Sequence, residues 1–217
     1  MGVGYKQSMK PIASWLDRTF RVLPPRGFTL IEMLLTLTII LILFTMMYGF
    51  GSKRNQMNQK KKCQSNLLKV YIGLQIFANE HDNQFPWVTN AVSSEDALDV
   101  LVPKYAADTG IFVCPGSKDS PLPAGESLRK GRISYSYYMG RKSGETDAAL
   151  LTDKQVDANS KRTGELLFSD TGKKPGNNHH KYGGNVLYTE GSIRMSPSAA
   201  AFDLPLRSNV ILLNPKP

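Results

Sequence analysis

The stretch RGFTLIEMLLTLTIILILF, Arg26–Phe44, decides how this chain is built. After Arg26 every residue is apolar or small except Glu32, and the apolar character continues to Phe50. As a helix, the run from Phe28 to Phe50 extends about 35 Å, enough to cross the hydrocarbon core of a bilayer. A secretory signal peptide has a shorter apolar region that ends at a small-residue cleavage site, and none follows here. A core helix of a water-soluble protein keeps a polar stripe for solvent, and this segment is apolar on all faces. The sequence therefore predicts a membrane-inserted helix. A carboxylate inside such a segment is costly and points to function. The bland alternative is that Glu32, one turn from the helix start, snorkels to the interface and favours the helix dipole.

Charge sharpens the picture without orienting it. The chain has 217 residues and a formal net charge of +9. Lys6, Lys10, Arg18, Arg21 and Arg26 precede the apolar run against Asp17 alone, and Lys53, Arg54, Lys60, Lys61 and Lys62 follow it. Basic residues thus flank both ends, so the positive-inside rule does not choose a direction. The second cluster reads as a solvated helix face, with anionic lipid headgroups or unspecific nucleic-acid contact as the alternatives.

A basic leader, then Arg26-Gly27, then Phe28-Thr-Leu-Ile-Glu32 and a long apolar helix, resembles the processing site of type IV prepilins and type II secretion pseudopilins. The resemblance implies cleavage after Gly27 by a prepilin peptidase on the cytoplasmic side and N-methylation of Phe28. It also implies that Glu32, the fifth mature residue, neutralises the new α-amino group of a neighbouring subunit and sets register in a polymer. Met9 offers an alternative start. The helix-bending proline common in such proteins is missing, and Gly49 and Gly51 bracket Phe50 instead, where each weakens a helix by close to 1 kcal/mol. The domain reading is a cleaved leader over 1–27, a transmembrane and filament-core helix over 28–50, an amphipathic helix over 51–82 and a globular head over 83–217.

Beyond the basic cluster, Cys63, Leu67, Val70, Leu74 and Phe77 fall on one helical stripe that needs apolar cover. NEHDNQFP ends this helix near residues 79–83, with His81 facing solvent at that end. Ser93 or Ser94 caps a short helix that stops near Pro103. ISYSYYM alternates as a strand from Ile133, ELLFSD reads as a central strand, and residues 141–163 read as a long surface insertion. NVLYTEGSIRM reads as a hairpin around a two-residue turn at Glu190-Gly191. The fold class is α+β: a long N-terminal helix packed on a small antiparallel sheet. His180, nine residues and Glu190-Gly191 resemble the His-x9-Asp-Gly feature of pilin-like proteins, with glutamate in place of aspartate. CQSNLLKVYIGLQIFANEHDNQFP and FVCP resemble the same group.

Cys63 and Cys114 are open to two readings. In a head outside the cytoplasm they form a disulfide tying helix to loop; otherwise they are two buried thiols. The absence of CxxC or CxxH spacing argues against zinc. Asp170, His179, His180 and Glu190 make the only group inviting metal chemistry, and of these Asp170, His180 and Glu190 are the weak candidates. G-type pseudopilins bind calcium in a C-terminal loop, but calcium prefers oxygen and histidine would be out of place. The alternative is a polar loop feeding the hairpin, with Asn177 and Asn178 as turn residues. No nucleophile–base–oxyanion arrangement and no phosphate loop occurs, so neither catalysis nor a cofactor is expected. The expected function is a structural subunit of a type II secretion pseudopilus, G-type-like, with a type IV pilin or minor pilin for adhesion, motility or DNA uptake as the alternative. Expected partners are copies of itself or other pseudopilins, prepilin peptidase and an inner-membrane assembly platform. The same resemblance adds a secreted substrate or an outer-membrane channel to these, and no specific nucleic acid. The expected location is the inner membrane in a single pass with the head periplasmic, then a fibre.

Overall fold

The structure, a computed structural model, describes residues 27–217, so the leader before Gly27 and the start at Met9 lie outside the described residues. It divides into two units, Met1–Met47 and Tyr48–Pro217. Helix α1, Leu30–Glu80, contributes to both and is helical at Gly49 and Gly51. In the first unit, the window Leu30–Met47 is long and apolar enough to cross a membrane, and none of it is buried within the protein.

The second unit is the head. Its part of α1 buries Cys63, Leu67, Val70, Leu74 and Ala78, a stripe with helical spacing. Ala78 rather than Phe77 completes the stripe; Phe77 is partly buried and stacks on His81 with ring centroids 3.8 Å apart. The helix stops through a Schellman-type closure in which the Asn83 N–H reaches the Ala78 carbonyl at 2.9 Å. Asp82 and Asn83 take the left-handed conformation there, which short polar residues tolerate. Helix α2, Ser94–Leu98, begins at Ser93, whose N–H and hydroxyl both donate to the Asp96 carboxylate. A single 3-10 turn, Asp99–Leu101, carries the chain to Pro103.

Five strands form one sheet: β1 Tyr135–Met139, β2 Ala149–Asp153, β3 Gly184–Tyr188, β4 Ile193–Ser196 and β5 Ile211–Leu213. The order is β4-β3-β2-β1-β5, every pair antiparallel, so β1 to β4 form a meander and β5 returns to the free edge of β1. Tyr135, Tyr137, Met139, Leu187 and Leu213 pack with the α1 stripe on one face. Tyr138, Val186, Tyr188 and Leu212 point the other way, onto Leu167, Phe168, Ala200 and Leu204. A bulge between Ala149 and Leu151 breaks the β2–β3 register. It lets Leu150 and Leu151 both join the α1-side core while Ala149 joins the other.

This two-sided cover corrects two expectations. Residues 141–163 are not a surface insertion throughout: they contain β2, buried along its whole length. ELLFSD is not a central strand, since Leu166 makes only an isolated bridge to Ala199 while Leu167 and Phe168 lie over the sheet's second face. Both errors come from expecting one covered face, where alternation shows inside and outside. A sheet buried on both faces loses that contrast.

The β3–β4 hairpin also differs in detail. Gly191 donates its N–H to the Tyr188 carbonyl at 2.9 Å, and Tyr188 donates to Ser192, leaving Thr189, Glu190 and Gly191 in the loop. Gly191 sits at φ +85°, the left-handed position of a three-residue hairpin loop. A Cβ there would stand 2.9 Å from the ring of Tyr71, whose hydroxyl donates to the Thr189 carbonyl at 2.8 Å. Gly191→Ala is expected to destabilise the head by about 1–2 kcal/mol, from left-handed strain plus this contact. Thermal unfolding of the variant against the parent checks it, and an unchanged midpoint would contradict the role given to Gly191.

Candidate functional site

The N-terminal segment carries the expected processing junction. Among the described residues, Gly27 has no neighbour within 4 Å of where a Cβ would stand, and Phe28 is 77% exposed. Thr29 stands just before α1 as its N-cap. Its N–H and hydroxyl donate to the Glu32 carboxylate at 2.9 and 2.8 Å, while the Glu32 N–H reaches back to the Thr29 hydroxyl at 3.3 Å. This is a capping box, which satisfies otherwise orphaned donors of the first turn. In the single chain, then, the glutamate that stood out in the sequence has a local partner in Thr29.

The head contains a second, buried group. Cys63 on α1 and Cys114, after a 3-10 turn at Thr109–Phe112, form a disulfide with Cα atoms 5.2 Å apart. By the chain-entropy model, a link across 51 positions contributes about 2–4 kcal/mol. Against it lie Asp153 at the end of β2 and His179 in the loop before β3, both buried. His179 Nε2 is 3.5 Å from Cys114 Sγ and 3.2 Å from Asp153 Oδ2. Asp153 also accepts from the Asn185 N–H at 2.7 Å and from the side-chain amides of Asn185 and Asn178 at 2.9 and 3.1 Å. Burial works to raise the Asp153 pKa. The facing His179 and these donors more than offset it and hold the carboxyl below its ordinary value.

Lys60 belongs to this centre and not to a solvated face. It is buried and donates to the Tyr182 carbonyl at 3.0 Å. Burial lowers its pKa, an effect the Asp153 charge partly opposes. Asn185 ties the same region together by donating to the Lys60 carbonyl and accepting from Gln64. Arg54, Lys61 and Lys62 are exposed.

The weak metal candidates are placed elsewhere. Asp170 is exposed. Glu190 sits in the hairpin loop, accepting from the Ser192 hydroxyl at 2.6 Å. His180 lines a surface cavity with Lys118, Lys154 and Lys174, a basic lining that disfavours a cation. Among the described residues, the donor atoms that gather are those of Cys63, Cys114, Asp153 and His179, all within 4.8 Å of one another. Sequence spacing missed this group because its members lie on four separate elements. The available signal was Asp153 closing the apolar run ALLTD.

Residues 25–48 match the prokaryotic N-terminal methylation motif. No curated protein and no solved structure matches the chain. With its apolar N-terminal helix and five-stranded antiparallel head, the match supports a type IV pilin-like structural subunit. The motif implies processing by prepilin peptidase and assembly into pilus-like polymers, and it is consistent with membrane anchoring.

Proposed function

We propose that this chain is a pseudopilin of a type II secretion system, a mechanical subunit with no catalytic role. The observation that carries the reading is the methylation motif over residues 25–48, with Gly27 and Phe28 directly before an apolar, unburied helix and a capped Glu32. Cleavage after Gly27 and methylation of Phe28 yield the mature chain. It sits in the inner membrane through the Phe28–Phe50 segment, with its head in the periplasm. An assembly platform draws it into a short fibre whose core is built from these helices. The heads then meet a secreted protein or the outer-membrane channel. The disulfide fits an oxidising compartment, which supports a periplasmic head.

A type IV pilin or minor pilin is the second reading, favoured by the exposed basic residues Arg54, Lys61 and Lys62 if they meet an acidic surface. Deleting the gene separates the two. Loss of protein secretion with no change in surface pili supports the pseudopilin, and loss of pili with intact secretion supports the pilin.

Mass spectrometry of the N-terminal peptide from membrane fractions tests the shared premise. The expected result is a chain beginning at N-methylated Phe28. An intact leader in cells with active prepilin peptidase would sink both readings.

A further inference from the structure

The cluster of Cys63, Cys114, Asp153 and His179 has the geometry of a metal centre closed by a covalent bond. A tetrahedral zinc site has Zn–S bonds of about 2.3 Å and Zn–N and Zn–O bonds of about 2.0–2.2 Å. Those lengths require a sulfur–nitrogen edge of about 3.5 Å and a nitrogen–oxygen edge of about 3.4 Å. The Cys114 Sγ to His179 Nε2 distance is 3.5 Å and the His179 Nε2 to Asp153 Oδ2 distance is 3.2 Å. Two edges of the tetrahedron therefore stand close to their required lengths in the disulfide form. The sulfur–sulfur edge must open, and all four donor atoms already lie within 4.8 Å of one another.

We propose that, when its disulfide is reduced, the head binds one divalent zinc-type cation through Cys63 Sγ, Cys114 Sγ, His179 Nε2 and Asp153. Reduction breaks the S–S bond with two electrons and two protons supplied by a dithiol, which leaves as its own disulfide. The two thiols then give up their protons as the metal binds. Thiolate, imidazole and carboxylate together suit zinc better than calcium or magnesium, which take oxygen donors.

Charge balances in the metal-bound state. Once the thiols have given up their protons to the metal, two thiolates and the buried Asp153 carboxylate carry three negative charges, which need a cation among them in a buried site. A divalent cation removes most of that charge, and the buried Lys60 side chain lies in the same polar centre. The orienting partners are also present. Asn178 and Asn185 hold the Asp153 carboxylate from outside the donor set, as surrounding groups do around metal ligands. The same four residues would thus brace the head in two chemical states, by a disulfide when oxidised and by a metal when reduced.

The test uses the full chain in detergent. One sample stays oxidised; the other is reduced with a phosphine under anaerobic conditions, and both are titrated with Co²⁺ as a spectroscopic stand-in. The reduced chain is expected to take up one Co²⁺ per chain, with thiolate-to-metal absorption in the near ultraviolet and tetrahedral visible bands. Zinc should displace it, and the oxidised chain should show none of these bands. Cys63→Ser and His179→Gln should each weaken binding more than the roughly 10–100-fold caused by losing an orienting partner. A reduced chain that binds no Co²⁺, folded or unfolded, would overturn the proposal. So would equal binding by the reduced parent and Cys63→Ser.

Discussion

Glu32→Ala and Glu32→Gln are both expected to abolish fibre formation while leaving cleavage after Gly27 and methylation of Phe28 intact. The two substitutions separate the two roles that the residue can have. Gln preserves the capping box with Thr29, because a side-chain amide oxygen can accept the same N–H and hydroxyl. It removes only the charge. If Glu32 serves the helix terminus alone, Gln restores assembly and Ala does not. If Glu32 neutralises the α-ammonium of a neighbour, both fail, because either leaves that cation uncompensated among apolar helices. Fibre yield should then fall on the order of 100-fold or more for both. Thr29→Ala supplies the converse control: it weakens the cap by about 1 kcal/mol but keeps the carboxylate, and fibres should persist. Pelleted fibres counted by electron microscopy, beside mass spectrometry of the membrane pool, give both readouts. Normal fibres from Glu32→Gln would overturn the charge-pairing role.

The parts of this molecule that sequence made legible are those governed by local rules. The apolar run needs only its length and the absence of a polar stripe. The α1 stripe from Cys63 onward needs only helical spacing, and Ser93 with Asp96 needs only a capping pattern. The hairpin around Gly191 was visible for the same reason, since left-handed backbone there favours glycine. What was illegible depends on contacts between distant segments. β2 was hidden because both its faces are covered, so ALLTD has no outward residue to mark it as a strand. Lys60 read as solvated because its partner, the Tyr182 carbonyl, lies 122 positions away. The imidazole that matters in the head is His179, and the sequence could not separate it from its neighbour. His180, at φ +55°, turns to the basic surface cavity, while His179 goes inward to Asp153.

Asp153→Ala should produce the largest loss of head stability among single substitutions at the polar centre. The carboxylate accepts from His179, Asn178 and both nitrogens of Asn185, all buried. Alanine takes the acceptor from the Asn185 N–H, from the His179 ring and from one N–H of each side-chain amide, while those amides keep the Ser134 and Lys60 carbonyls. In a buried site each orphaned donor costs about 1–3 kcal/mol. Relaxation will recover part of this, so the net loss should be about 3–5 kcal/mol, as when one member of a buried pair is removed. That is a large share of the roughly 5–15 kcal/mol that holds a typical domain together. The acid limb supplies an independent check on the disulfide-bonded protein. A carboxyl whose folded pKa lies below its ordinary 3.8 contributes stability that is fully present above that value. The contribution is lost as pH falls below 3.8 through the folded pKa. The parent should therefore lose stability steeply below about pH 4, and Asp153→Ala, already lacking the contribution, should lose less over the same range. Denaturant unfolding at neutral pH and near pH 3 measures both effects. A variant as stable as the parent at neutral pH, or one with an equally steep acid limb, would show that Asp153 does not organise the centre of the head.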